Sequence, residues 1–236
     1  MGTTTRLLFF CIILLLSSCS SLVISDEEKK GIEEVAALYG GTWNYGINRS
    51  YSSDKGNESV FTISMAGTDP LTGDGTFAEM YASNIAYIMY THIKAGKRSY
   101  QQIVTNINKG EGQKATYEFP LTTLEKVDMK MNYAKHVAEL VAEANFEELE
   151  KELVLDELVP ASKKEALRGL IAEGDSAFGK IGQFRFSGFQ FMNTKTGKPC
   201  LRMSGNLKRS RQDSQFSVFV NAESGKNELY AFDFNY

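Results

Sequence analysis

Apolar residues recur at helical spacing through the middle of the chain. Over residues 123–158 they lie three or four apart and so share one helix face: Leu124, Val127, Met131, Ala134, Ala138 and Val141. Asn145 followed by Glu148 predicts a break in this stretch and a second helix that runs to Leu158. Residues 77–95 are apolar on nearly every face, which is typical of a buried helix.

Further helix starts are indicated by capping boxes, in which Ser or Thr is followed three residues later by Glu or Gln. The pairs are Ser25 with Glu28, Thr76 with Glu79, Ser99 with Gln102, Thr122 with Glu125 and Ser162 with Glu165. Glycine commonly follows a helix end, so four of these helices are expected to stop at Gly40, Gly96, Gly110 and Gly174.

Strict alternation of apolar and polar residues predicts strands at both ends of the chain. Residues 42–48 and 60–66 alternate and are joined by a polar segment, which indicates a hairpin, and a short strand is expected near 116–119. Four strands are predicted between residues 183 and 234, with one aromatic face. The apolar phase of the first shifts at Ser187-Gly188, as in a β-bulge.

These elements predict an α+β fold in a single domain over residues 26–236. Its antiparallel sheet is expected to combine the N-terminal hairpin with the C-terminal four-stranded meander and to pack with the helical middle section. Gly41-Thr42-Trp43, after a short helix, resembles the G-x-W opening of lipocalins. That resemblance implies an alternative fold, an eight-stranded barrel around an apolar ligand with a helical insertion.

The N-terminal segment predicts export. Arg6 precedes an apolar run from Leu7 to Leu16, which is too short to span a bilayer, so residues 1–18 are interpreted as a signal peptide. Leu16-Ser17-Ser18-Cys19 resembles the lipobox of bacterial lipoproteins. The resemblance implies cleavage before Cys19, lipid on its thiol, a short tether over 19–25 and a place in the cell envelope. Ser20 in the sorting position implies the outer membrane. An ordinary secretory signal is the alternative.

Composition narrows the classes of protein further. The chain has 26 Lys and Arg against 29 Asp and Glu, which gives a formal charge of −3. A net charge this small is not typical of a disordered chain, and a slightly acidic balance is not typical of a protein that binds nucleic acid. With the signal removed and Cys19 acylated, Cys200 is the one free thiol, so we expect no intramolecular disulfide. The turn Lys208-Arg209-Ser210-Arg211 is a local positive cluster. It is interpreted as a solvated hairpin tip or as a contact for an anionic partner such as lipopolysaccharide.

Motifs for chemistry are sparse. Gly174-Asp175-Ser176 lacks the strand and second glycine of a hydrolase elbow, and His92 and His136 have no serine partner in the sequence. The loop Asp69–Gly75 is interpreted as a turn, with Ca²⁺ binding as the alternative. We therefore expect no catalytic residues, no metal site and no cofactor. Three tyrosines of the buried helix, Tyr81, Tyr87 and Tyr90, are candidates to line a ligand cavity.

Two functions from different classes remain. The first is an envelope-anchored lipoprotein that acts as a non-enzymatic binding or accessory module for a partner protein or an apolar ligand. The alternative is a hydrolase of envelope polymers, because paired carboxylates suffice for glycoside cleavage. Asp69, Asp74 and Glu79 are its candidate residues.

Overall fold

The computed structural model describes residues 24–52, 56–66, 77–97, 99–110, 113–154, 161–223 and 225–235. The helices in these ranges are α1 (Asp26–Tyr39), α2 (Ala78–Ala95), α3 (Leu121–Ala142), α4 (Phe146–Glu152) and α5 (Ala161–Phe178). The strands are β1 (Trp43–Ser52), β2 (Gly56–Met65), β3 (Gln102–Gly110), β4 (Gln113–Pro120), β5 (Ile181–Asn193), β6 (Pro199–Arg209), β7 (Ser214–Asn221) and β8 (Leu229–Asn235). The predicted signal peptide, the lipobox with Cys19 and the loop Asp69–Gly75 lie outside the described residues.

The first sheet is mixed, with strand order β1-β2-β3-β4. The predicted hairpin is confirmed, with Trp43 opposite Met65. Strand β3 runs parallel to β2, and helix α2 lies between them in the chain. The predicted strand near 116–119 is confirmed as β4, which pairs antiparallel with β3.

The prediction of a helix from Ser99 to Gly110 is wrong, since this segment forms strand β3. Ile103, Thr105 and Ile107 are buried at every second position, which is the period of a strand. Their β-branched side chains fit a strand that has neighbours on both sides. The capping-box pattern that suggested a helix rests on only two residues, and pairing across the sheet overrides it.

The second sheet is the predicted four-stranded antiparallel meander, with strand order β5-β6-β7-β8. The predicted bulge is confirmed, because the register of β5 on β6 shifts between Phe186 and Gly188. Gly188 has a φ of 150°, and a Cβ there would collide with the carbonyl oxygen of Met80 in α2. The bulge therefore lets helix α2 approach the strand closely.

The α+β prediction is thus confirmed, but the hairpin and the meander belong to two separate sheets, whereas we expected one. The lipocalin-like alternative is wrong, because the described strands form two open sheets and no closed barrel. Trp43 begins β1 rather than sealing a barrel end. It is buried, and its Nε1 donates to the Gly40 carbonyl at 2.9 Å, just after helix α1.

Helix α2 is buried on nearly all faces, as the sequence predicted. It packs against α1, against β3 of the first sheet and against β5 of the second. Ser83, fully buried on α2, accepts the backbone N–H of Phe189 at 2.8 Å and donates to the Met80 carbonyl at 2.8 Å. One cluster of buried side chains includes residues of both sheets, and α2 lies between them.

Two of the predicted helix starts have the expected caps. Ser25 and Glu28 form a complete capping box on α1, with hydrogen bonds of 3.2 and 2.6 Å, and Asn145 accepts from the Glu148 N–H at 3.3 Å to begin α4. The box at Thr122 is wrong, because β4 leads directly into α3 and Pro120 occupies the cap position. Phe77 precedes α2 without a side-chain cap, and Thr76 lies outside the described residues.

Three predicted helix boundaries are also wrong. Helix α5 already contains Ser162 and continues through Gly174 to Phe178. Helix α4 ends at Glu152 and not at Leu158, because Leu153 leaves the helix to bridge Leu229 of β8. No helix in the described ranges has the length and apolar character needed to cross a bilayer.

Candidate ligand-binding groove

Two adjoining depressions of about 350 and 590 Å³ open between helices α1 and α2 and strands β5 and β6, and the larger extends to α3. The residues common to both are Leu38, Asn84, Arg185, Phe186 and Lys208. We call the two depressions together the tyrosine groove, because Tyr39 and Tyr81 line the smaller and Tyr87 lines the larger. Both depressions are partly open to solvent, so a ligand would reach them without rearrangement of the core.

Tyr39 and Asn84 form the polar contact at the base of the smaller depression. Asn84 is buried on helix α2 and donates from Nδ2 to the Tyr39 hydroxyl at 2.7 Å. The Tyr39 ring meets the Tyr81 ring edge to face, with centroids 5.7 Å apart. Burial raises the pKa of Tyr39 to about 12, although the Asn84 hydrogen bond and the charge of Arg185 oppose the shift. The phenol therefore stays neutral in the groove at physiological pH.

Tyr87 presents its ring and not its hydroxyl to the groove. Its hydroxyl donates to Oδ1 of Asp128 in α3 at 2.8 Å, and the Lys94 ammonium donates to Oδ2 of the same carboxylate at 2.7 Å. Burial raises the pKa of Tyr87 above its ordinary value, and the Asp128 carboxylate raises it further. The ring meets the Phe186 ring edge to face, with centroids 5.3 Å apart, so part of the wall of the larger depression is aromatic, and we call this part the aromatic wall.

Cationic side chains surround this aromatic wall. Arg185 of β5 and Lys208 of β6 line both depressions, and Lys135 of α3 lines the larger. Lys208 is paired with Asp213, whereas neither Arg185 nor Lys135 has an ion-pair partner among the residues that the structure describes. Glu34, the one carboxylate lining the two depressions, lies 2.9 Å from His92 Nε2. The groove therefore offers aromatic surface together with unpaired positive charge.

The three tyrosines that the sequence suggested as cavity-lining residues do not line a single depression. Tyr81 and Tyr87 line the tyrosine groove, whereas Tyr90 is buried and lines a separate depression of about 580 Å³ with Lys94 and Lys97. The Tyr87 and Tyr90 rings stack with centroids 6.1 Å apart. Helix α2 thus presents its tyrosines to two different openings.

Sequence reasoning missed Tyr39, Asn84 and Arg185 as groove residues, whereas Lys208 belongs to the basic turn that the sequence offered as a contact for an anionic partner. Two signals were present in the chain. Asn84 is a lone amide in an otherwise apolar stretch, and such a residue needs a hydrogen-bond partner when buried. Arg185 lies between two phenylalanines of a strand, which indicates that one face of that strand is polar.

The candidates for chemistry have structural contacts in the described residues. His92 lies between Glu34 and Glu27, and His136 lies 3.9 Å from Glu152. Glu79 is exposed in the first turn of α2 and contacts Gln190, while Asp69 and Asp74 lie outside the described residues. The described part of the chain contains no cluster of three or more His, Cys, Asp or Glu side chains arranged to hold a metal ion.

The basic turn holds the end of helix α5. Arg209 is fully buried and donates to Asp175 at 2.7 Å, to the Gly179 carbonyl at 2.8 Å and to Ser214 at 2.9 Å. Arg211 donates to the Ser176 carbonyl at 3.0 Å. Cations at a helix C-terminus stabilise its dipole. The turn is therefore not the freely solvated tip that we expected, and Gly174-Asp175-Ser176 is part of the same helix end.

Comparison of the chain with protein families, curated proteins and solved structures finds no match. The geometry of the tyrosine groove therefore carries the functional argument, together with the N-terminal sequence.

Proposed function

We propose that this chain is an envelope-anchored lipoprotein that acts as a non-enzymatic binding or accessory module. The tyrosine groove is its binding surface. The ligand has apolar groups for the aromatic wall and an anionic group for Arg185. The juxtaposition of Tyr39, Tyr81 and Tyr87 with Arg185 is the observation that carries the proposal.

The chemistry of the groove favours binding through stacking and charge. Aromatic rings supply large contact areas, and tyrosine is prominent among residues that dominate binding energy. The pKa values of Tyr39 and Tyr87 are raised, so the rings contribute no negative charge that would repel an anion. A guanidinium without an internal ion pair gains a partner when an anionic ligand arrives.

The anchor in this proposal rests on the N-terminal sequence. Each buried CH₂ of an acyl chain contributes about 0.8 kcal/mol, so two or three long chains on Cys19 would hold the protein at the bilayer. At the outer membrane, the groove would then operate at a surface, where a tethered partner or a lipid is locally concentrated.

Retention of an envelope ligand by matched tyrosine variants tests the proposal. The purified full chain is incubated with an envelope extract of its source organism and recovered, and bound proteins and lipids are identified by mass spectrometry. Tyr81→Ala removes a groove ring and should lower retention about tenfold. Tyr45→Ala removes a tyrosine of β1 that is 48% exposed and is the control. Equal retention by both variants, or recovery of neither a protein nor a lipid at micromolar affinity, would refute the proposal.

A further inference from the structure

Strand β5 forms an edge of the second sheet, and this edge borders the tyrosine groove. The strand order pairs β5 with β6 alone. Among the residues that the structure describes, only those of β6 form hydrogen bonds with the backbone of residues 181–187. An edge strand with unpaired N–H and C=O groups is a template for a further strand.

Helix α2 covers the same edge farther along the strand. The Ser83 hydroxyl accepts a hydrogen bond from the backbone N–H of Phe189, and Gly188 lies directly against the backbone of Met80. The helix therefore occupies the edge from Gly188 onward. Within the described ranges, no element other than β6 pairs with the segment 181–187.

Three depressions follow this open segment in order. A small one of about 160 Å³ is lined by residues 181–184, the larger depression of the tyrosine groove by 183–186, and its smaller depression by 185–187. Each shares β5 residues with the next, so the three adjoin along about 20 Å of the strand, and we call them together the trough. Residues of helix α3 line the first two depressions, and residues of helix α2 line the last two.

The two faces of β5 differ along this trough. Side chains alternate along a strand, so Phe184 and Phe186 share one face and Arg185 lies on the other. Lys208, opposite Gln183 in the register with β6, shares the face of Arg185. The side chains of a strand added beside β5 would alternate in the same way, facing aromatic surface and positive charge in turn.

We propose that this trough binds an extended segment of a partner protein, which pairs with β5 as an additional strand and in which apolar and acidic residues alternate. The inference rests on the proposed function and identifies the ligand of that groove as a polypeptide. Main-chain hydrogen bonds would provide affinity, and the alternating pockets would provide specificity. Three carboxylates lie near the trough and oppose this little. Glu34 is engaged by His92, Asp213 is paired with Lys208, and Glu139 lies at the far end beside Lys135.

Fluorescence anisotropy with labelled probe peptides tests the inference on the full chain. The first probe has roughly eight residues in which valine and glutamate alternate, enough to span the trough. The second has lysine in place of glutamate, and the third carries an N-methyl group on every backbone amide, so that neither of its edges can donate to a neighbouring strand. The first should bind at least about tenfold more tightly than either of the others.

Charge reversal supplies the matched control. Arg185→Glu should weaken the glutamate probe about tenfold and strengthen the lysine probe, since the charge on one face of β5 is inverted. Lys198→Glu changes an exposed lysine of the β5–β6 turn and should leave both affinities unchanged.

The outcomes separate the two proposals. Equal binding of the N-methylated probe would overturn strand pairing. Failure of all probes, while Tyr81→Ala still loses an envelope ligand, would overturn the peptide and leave the groove as the binding surface. Failure of the probes together with unaltered retention by Tyr81→Ala would overturn both.

Discussion

Substitution of Gly188 by alanine tests the junction between helix α2 and strand β5, which forms one end of the groove. The φ of 150° at this position is strained for any residue with a Cβ, at about 1–3 kcal/mol. The new methyl group would also collide with the Met80 carbonyl oxygen, and overpacking of a well-packed site costs about 1–3 kcal/mol. We therefore expect Gly188→Ala to lower the free energy of unfolding by about 2–6 kcal/mol.

Gly182→Ala is the matched control in the same strand. Its φ is ordinary, and the nearest atom to a Cβ there is the Lys208 carbonyl oxygen at 3.5 Å, a normal van der Waals contact. This variant should be as stable as the unsubstituted chain or more stable by up to about 1 kcal/mol. Urea unfolding followed by circular dichroism and by the fluorescence of the single Trp43 gives both values. Equal stability of the two variants would refute the argument that α2 contacts the bulge closely.

Three further predictions concern the rest of the molecule. Arg209→Met should lower the free energy of unfolding by about 3 kcal/mol, because it removes the buried cation that pairs with Asp175. Lys151→Met, which removes the exposed ion pair with Glu148, should lower it by less than about 1 kcal/mol. The pKa of Tyr39 rises from 10.0 to about 12 on folding, so stability should fall as pH rises from 10 to 12, and Tyr39→Phe should flatten that fall in urea titrations; an unchanged slope would contradict it. Cys19→Ser should leave an uncut, unlipidated precursor by mass spectrometry, and normal processing would indicate an ordinary signal peptidase.

Local patterns in the chain predicted much of the fold. The bulge at Ser187-Gly188 was visible as a phase shift, because side chains of a strand alternate and the extra residue reverses the phase. The burial of α2 followed from apolar residues on every face. The capping box at Ser25 was identified because both of its hydrogen bonds join residues three apart.

Nonlocal contacts explain the predictions that failed. Residues 99–110 carry helix start and stop signals, yet they form β3. They pair with β2 and β4, and helix α2 packs against the strand, in which Ile103, Thr105 and Ile107 are buried on one face. Gly174 does not end α5, which continues to Phe178. Arg211 donates to the Ser176 carbonyl in its last turn, and Arg209 donates to Asp175 and to the Gly179 carbonyl just past the helix. In each case a partner distant in the chain outweighed a weak local preference.

The sequence by itself determined the elements whose signals lie within a few residues: the alternating strands, the buried helix and the α+β class. Only the tertiary structure decided that the hairpin and the meander form separate sheets and that Tyr39, Tyr81 and Arg185 surround one groove. Ser83 and Phe189, which fix α2 on β5, are 106 residues apart. Periodicity reports which face of an element is apolar, but not which other element covers that face, because that choice depends on packing among all of them.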